Sequence, residues 1–444
     1  MPKAVDIPAC PGVPATPASG RETREYRIRL ITPLFGGGVE AGEPDPTLPI
    51  RGTSIRGQLQ FWWRATRGAS YPACDALFKR HAEVWGTTER ASPVDVEVRD
   101  IEMATSARCL EYSPKSDGKL QANWRKPVNN NGSALPYALF PFQGQLKKEG
   151  GKQKIEREPA QFIESGSFTL RVCYPELFRQ EVETAVWAWA NFGGLGARTR
   201  RGCGSLFCQE LAPNAFNDVA QWFRAHAAFA SDVVREWPTL PRTLLVGIER
   251  RSPLEAWDSV IGLLRTFRQG VDFARNRGQQ QNRPGRSRYP EPETIRRITG
   301  CRSGLHARLA HIPDDAFPRA ELGLPIVFHY QGQGEPPDTV LYPADGPDGQ
   351  PRERMASPLI LKSLALANGK AVPLIMRLVT PQLTGIDLRQ GDTSRPLPRT
   401  TVIQDGRLAT YRDSPLAGAA SGSALDAFFT LALAPSNGFQ EVAR

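Results

Sequence analysis

The residues in this sequence best suited to chemistry are arginines set among glycines, in two stretches far apart in the chain. The first runs Ile50-Arg51-Gly52-Thr53-Ser54-Ile55-Arg56-Gly57-Gln58-Leu59-Gln60-Phe61-Trp62-Trp63-Arg64, turning on glycine and reading into a helix. A hydroxyl of Thr53 or Ser54 is expected to cap the first amides. The unpaired N–H groups and partial positive charge of a helix start favour an anion between Arg51 and Arg56. The second stretch, Phe192 to Leu206, sets Arg198, Arg200 and Arg201 among five glycines, Gly194 and Gly196 included, with no acid before Gly204. Such a turn lets both backbone and guanidinium approach a phosphodiester chain. The chemistry expected is a grip on a polyanion, with the two stretches meeting in space to hold RNA.

Other chemistries fit less well. Gly52 and Gly57 have the glycine spacing of a phosphate-binding P-loop, but Gln58 and Leu59 stand where lysine and serine or threonine are needed. Gly194 and Gly196 do not continue into a dinucleotide fingerprint, because Thr199 occupies the third glycine position. His306 and His311 are five apart rather than four and no CxxC pair accompanies them, so neither a metal nor another cofactor is expected. His81 is the one candidate general base for metal-independent RNA cleavage, and a place on a helix surface is the plainer expectation. The chain is therefore expected not to be an enzyme; an RNA-processing endoribonuclease and a protein-only scaffold are the alternatives.

Composition agrees with a polyanion partner. The 444 residues carry a formal charge of +10, and 45 of the 56 cations are arginines. Seven cysteines without a CxxC pair suit a reducing compartment, the proline- and alanine-rich Met1 to Gly20 lacks a signal-peptide core, and no apolar run reaches membrane length, so a cytoplasmic protein is expected.

Around these stretches, periodicity places the elements. Tyr26 to Thr32 alternates as a half-buried strand, followed by Gly36-Gly37-Gly38; Ile55, Leu59 and Trp62 share the packed face of the first helix, leaving Arg56, Gln60 and Arg64 on a face open to ligand. The adjacent Trp62-Trp63 pair reads as core. Further helices are expected over Asp75 to Val84, Gln180 to Asn191 and Pro253 to Phe267, and strands over Val94 to Arg99, Ser167 to Val172, Thr243 to Ile248, Pro325 to Tyr330 and Leu374 to Val379. Between Ser113 and Arg157 polar residues dominate and order is doubtful; Gly278 to Gly285 is expected to be mobile. Arg286 to Glu293 mixes cations with an aromatic, as RNA-facing loops do, and equally suits a salt-bridged connection between domains, while Ala356 to Lys362 reads as core with Lys362 a weak phosphate candidate. The pattern predicts an α+β chain of two ferredoxin-like units: a tail at 1–22, a first domain at 23–240 with an insertion at about 113–160, and a second at 241–444.

Taken in order, several segments resemble one family. Thr32 to Gly38, Pro49 to Leu59, Phe61 to Arg64, Glu83 to Glu89, Gly193 to Gly204, Arg286 to Glu291, Glu321 to Phe328 and Ala356 to Leu359 look like the first RAMP subunit of the type III-B CRISPR effector, the Cmr complex. The resemblance implies two ferredoxin-like RAMP domains and a non-catalytic place at the end of the complex, holding the 3′ part of the guide RNA and touching the target RNA. It also implies neighbours: another RAMP subunit, the repeated backbone subunit and, more remotely, the large polymerase-like subunit. Arg51, Gly52, Thr53, Ser54, Arg56, Arg64, Gly194, Gly196, Arg198, Arg200, Arg201, Arg286, Arg288 and Tyr289 are the RNA-contacting residues expected. Trp85, Tyr289 and the lysine-rich stretch at 147–154 depart from the family pattern.

Overall fold

A computed structural model describes residues 20–40, 42–128, 132–269, 287, 289–304, 316–330, 332–344, 350, 352–390, 406–409 and 414–444, and the structural statements below concern these. β1 (Arg21–Leu30) leads through the short β2 (Leu34–Phe35) to α1 (Gly52–Ala65), α2 (Cys74–Trp85) and β3 (Asp95–Met103). The chain then makes an excursion: β4 (Ala107–Arg108), the hairpin of β5 (Leu110–Pro114) and β6 (Leu120–Trp124), α3 (Leu135–Leu139), the hairpin of β7 (Gln145–Glu149) and β8 (Lys152–Arg157), and β9 (Gln161–Ile163). It returns with β10 (Gly166–Pro175), α4 (Arg179–Phe192), β11 (Leu206–Phe207) and α5 (Val219–His226). The resulting antiparallel sheet has the order β11-β1-β10-β3, a β-α-β-β-α-β wiring once the excursion is set aside.

The second half repeats that wiring. β12 (Thr243–Val246), α6 (Pro253–Gln269), α7 (Glu291–Thr299), β13 (Ile326–Phe328), β14 (Thr339–Pro343), β15 (Leu359–Ala365), β16 (Ala371–Arg377), β17 (Ile386–Gln390), α8 (Ala424–Leu433) and β18 (Gln440–Ala443) follow in turn. Here the sheet order is β15-β16-β12-β18, while β13, β14 and β17 form a small sheet beside α7.

Strand alternation explains how the halves share a core. Leu244, Val246, Leu364, Val372, Leu374 and Met376 point from the second sheet into the cluster holding Trp62, Trp63 and α4. Leu245, Leu361 and Ile375 point the other way, onto Trp257, Val260 and Leu264 of α6 and Phe428 of α8. Both faces of this sheet are therefore buried, which is why β15 and β16 read as nearly continuous apolar runs. On α1, Ile55, Leu59 and both tryptophans are buried, and Trp63 Nε1 donates to Glu181 at 2.6 Å.

Most expected elements lie where periodicity put them, within a few residues at their ends. The stretch from Ser113 to Arg157 differs: it forms two hairpins, β5–β6 and β7–β8, instead of a segment of doubtful order. Its polarity reflects exposure of both hairpins, and Gly150 and Gly151, at φ +57° and +79°, supply the left-handed pair of a tight turn. Gly278 to Gly285 lies outside the described residues.

Candidate nucleic-acid interface

The two arginine stretches meet. Thr32 is buried, donating its hydroxyl to the Gly202 carbonyl at 2.6 Å and accepting the Ser205 N–H at 2.8 Å. Beyond it the chain runs beside the second stretch: Gly204 N–H donates to Pro33 O and Ala197 N–H to Phe35 O. Gly196 is needed there, because at its φ of +74° a Cβ would come within 2.2 Å of the Phe35 carbonyl. From the other side Arg51 donates to the Gly37 carbonyl at 2.6 Å. The start of α1, the triple-glycine loop and the glycine-arginine turn thus form one continuous surface.

Arg51 itself is the N-cap of α1, and no side chain caps the helix. Thr53 and Ser54, expected to cap it, lie exposed in its first turn instead, so the first-turn amides lack an intrahelical partner. Arg198 takes a left-handed backbone at φ +56°, unusual for a side chain of its size, and its guanidinium lies over the exposed Phe140 ring at 5.8 Å. Arg200 lies over Phe61 at 5.7 Å and donates to the Ser357 carbonyl. Arg201 donates to Leu359 O at 2.7 Å and Ser357 Oγ at 3.1 Å, and its own carbonyl accepts from Trp257 Nε1 at 2.6 Å. This arginine fastens the turn to β15.

Electrostatics set this cluster apart. Burial holds all three guanidiniums below the usual arginine range; for Arg201 the neighbouring Arg198 and Arg268 add to it, and among the described residues no carboxylate opposes the shift in any of the three. Arg296, Arg302 and Arg319, by contrast, pair with Glu335 at 2.7 Å, Glu293 at 2.8 Å and Glu291 at 3.1 Å, while Arg64 shares the downward shift through burial alone. A cleft of about 840 Å³ nearby mixes Arg108, Arg157 and Arg354 with Glu40, Glu43, Asp45 and Glu158. Its charges offset one another, so the arginine turn is the better place for an anion.

Several expected contacts take other positions. Arg56 donates to the carbonyls of Val94 and Trp85 and lies over the Trp85 ring, so it clamps the end of α2. Arg64 is part-buried, and both arginines act on the half-buried His81, whose ring meets Trp63 edge-on at 5.5 Å. The polar face of α1 is therefore covered by α2 rather than open. Burial first, then Arg64 and Arg56, push the His81 pKa down to about 4. Tyr289 is 1% exposed and donates its hydroxyl to Phe267 O, a core residue and not a stacking platform. Lys362 is wholly buried, donating to the Gly193 carbonyl at 2.6 Å, so it caps the end of α4 instead of meeting a phosphate. Arg286 and Arg288 lie outside the described residues. Phe61 and Phe140, absent from the expected contacts, are the rings that arginines cover; for Phe61 the sign was its place beside Trp62 on a helix carrying Arg56 and Arg64.

Known proteins share parts of this architecture. Residues 27–207 match the RAMP superfamily model. The matched segment holds β3, β10 and β11, the end of β1 and both arginine stretches. A curated relative, CRISPR system Cmr subunit Cmr1-2 of Pyrococcus furiosus, is 27% identical over 191 residues, covering 42% of this chain and 95% of the relative. Among solved structures, the crystal structure of apo Cmr1 from Pyrococcus furiosus is similar at 16% identity and a TM-score of 0.44, covering 84% of this chain and 91% of that one. A chain of the type III-B Cmr-beta complex bound to cognate target RNA is similar at 12% identity and a TM-score of 0.43, covering 80% and 94%. Among the described residues, no helix is long and apolar enough to cross a membrane.

Proposed function

We propose that this chain is a non-catalytic RNA-binding subunit of a type III-B CRISPR effector in the cytoplasm, placed at the end of the particle where it holds the 3′ part of the guide RNA and the target strand. Its protein neighbours are the adjoining RAMP subunit and the repeated backbone subunit, with the large polymerase-like subunit more remote. The similarity to Cmr1-2 supports the assignment to the effector. The observation that carries the RNA reading is the convergence of Arg51, Arg198 and Arg200, with no carboxylate among the described residues to offset the last two. Partly desolvated cations without counter-charge are stabilised by an arriving phosphate, and arginine presents a fork that fits its oxygens. Thr53, Ser54 and Gly196 supply close backbone approach, and Phe61 and Phe140 flat surfaces for bases or ribose, whereas Gly194, expected to contact RNA, is buried against the Gly204 backbone.

Ultraviolet crosslinking of the assembled particle tests this: crosslinked peptides should come from 51–61 and 192–206, and RNA crosslinks confined to other regions would remove these loops from the site. The endoribonuclease alternative is tested by incubating the pure chain with repeat RNA in EDTA. No cleavage is expected, since His81 packs against Trp63 and its Nε2 is buried without a partner. A cut lost on His81→Ala would overturn the non-catalytic reading.

A further inference from the structure

The excursion between β3 and β10 holds a concentration of charge that the arginine turn does not account for. Residues 110–157 contain nine cations against four carboxylates, half of the chain's net +10. They also contain seven of its eleven lysines, in a protein that otherwise uses arginine. The two hairpins form one body: Gln153 N–H donates to Gly118 O at 2.9 Å, and the Gln153 side-chain oxygen accepts from Leu120 N–H at 2.8 Å. Across the β7–β8 ladder Lys147 sits directly opposite Lys154, and Glu149 opposite Lys152, whose stem passes beside Gly118 of the other hairpin.

Like charges directly opposite each other destabilise a strand pair. Glu149 is the one carboxylate among these three lysines, 3.1 Å from Lys154 and 3.9 Å from Lys147. All three lysines are exposed, so nothing in the fold requires them there. The root of the arm adjoins the arginine turn, because Phe140, under the Arg198 guanidinium, lies between the two hairpins.

We infer that the paired hairpins are a second RNA-backbone site, an arm that carries the strand outward from the arginine turn. The inference rests on the RNA-binding reading above. A five-residue strand such as β7 spans about 17 Å, room for about five phosphates at the roughly 3.4 Å spacing of a stacked strand. Lysine suits this role as a hydrated point charge that follows a backbone without fixing its geometry.

The test is fluorescence anisotropy of the full chain on an unstructured oligouridylate of about 24 nucleotides, long enough to exceed one compact site, over a salt series. Replacing Lys147, Lys152 and Lys154 together by glutamine should flatten the plot of log affinity against log salt by about 2, at roughly 0.7 per phosphate contact on a single strand. Glu149→Gln, which removes the carboxylate paired with Lys147 and Lys154, should steepen it. An unchanged slope in both variants, with the wild-type chain binding normally, overturns the arm and leaves the arginine turn standing. The arm is equally overturned if the lysine variant keeps its slope but loses a protein neighbour from the particle. Failure of the wild-type chain to bind the oligouridylate removes the RNA reading itself.

Discussion

Replacing Arg198 and Arg200 together by glutamine is the sharpest perturbation of the proposed grip. Both side chains lie over rings, Phe140 and Phe61, and among the described residues neither has a carboxylate offsetting its charge. Glutamine keeps the polar character of each position, and the fastening of the turn stays with Arg201, Trp257 and the Thr32 bonds. If each guanidinium neutralises one phosphate, each contributes about 0.7 to the slope of log affinity against log salt. The double variant should then lose about 1.4 of slope. Between about 50 and 200 mM salt, the drop in wild-type affinity should exceed that of the variant by about sevenfold. Anisotropy on single-stranded RNA at several salt concentrations measures it, with a thermal melt confirming the fold. A slope equal to that of wild type, in a variant that melts normally, would refute the claim that these two cations face the strand.

Two further outcomes follow from the joint between the halves. Gly202, at φ +86°, lies so close to Trp257 that a Cβ would come within 2.3 Å of Nε1, so Gly202→Ala should lower stability by more than about 1–3 kcal/mol; a melting temperature matching wild type would contradict this packing. Burial pushes the Lys362 pKa down to about 7 from 10.5, so the unfolded chain binds the extra proton between those values and stability rises with pH across that window. Between pH 7 and 9 wild type should gain about 2 kcal/mol on Lys362→Met, read as converging or crossing denaturation midpoints, and a pH-independent difference between the two would show that the ammonium is not desolvated there.

What could be read from residue order was whatever depends on near neighbours. Two-residue alternation in β1 and the i, i+4 spacing of Ile55 and Leu59 each report a buried face, and a face is a local property. The glycines and arginines of both stretches were equally legible, because residue type sets what a turn can approach. The excursion was misread for a local reason as well, since an exposed hairpin needs no apolar alternation and so resembles disorder.

Tertiary structure decided which cations are available. Arg198 and Arg201 sit three residues apart in one turn, yet one lies over an exposed ring while the other is fastened to Leu359 and Ser357, residues that only the packing of β15 against the turn brings near. Arg56 and Arg64 share the helical face that local spacing assigns to solvent, and α2 covers it. The charge on a guanidinium is written in the sequence. Its partner is set by long-range chain closure, and whether that partner is a carbonyl, a ring or an arriving phosphate decides between a clamp and a binding site.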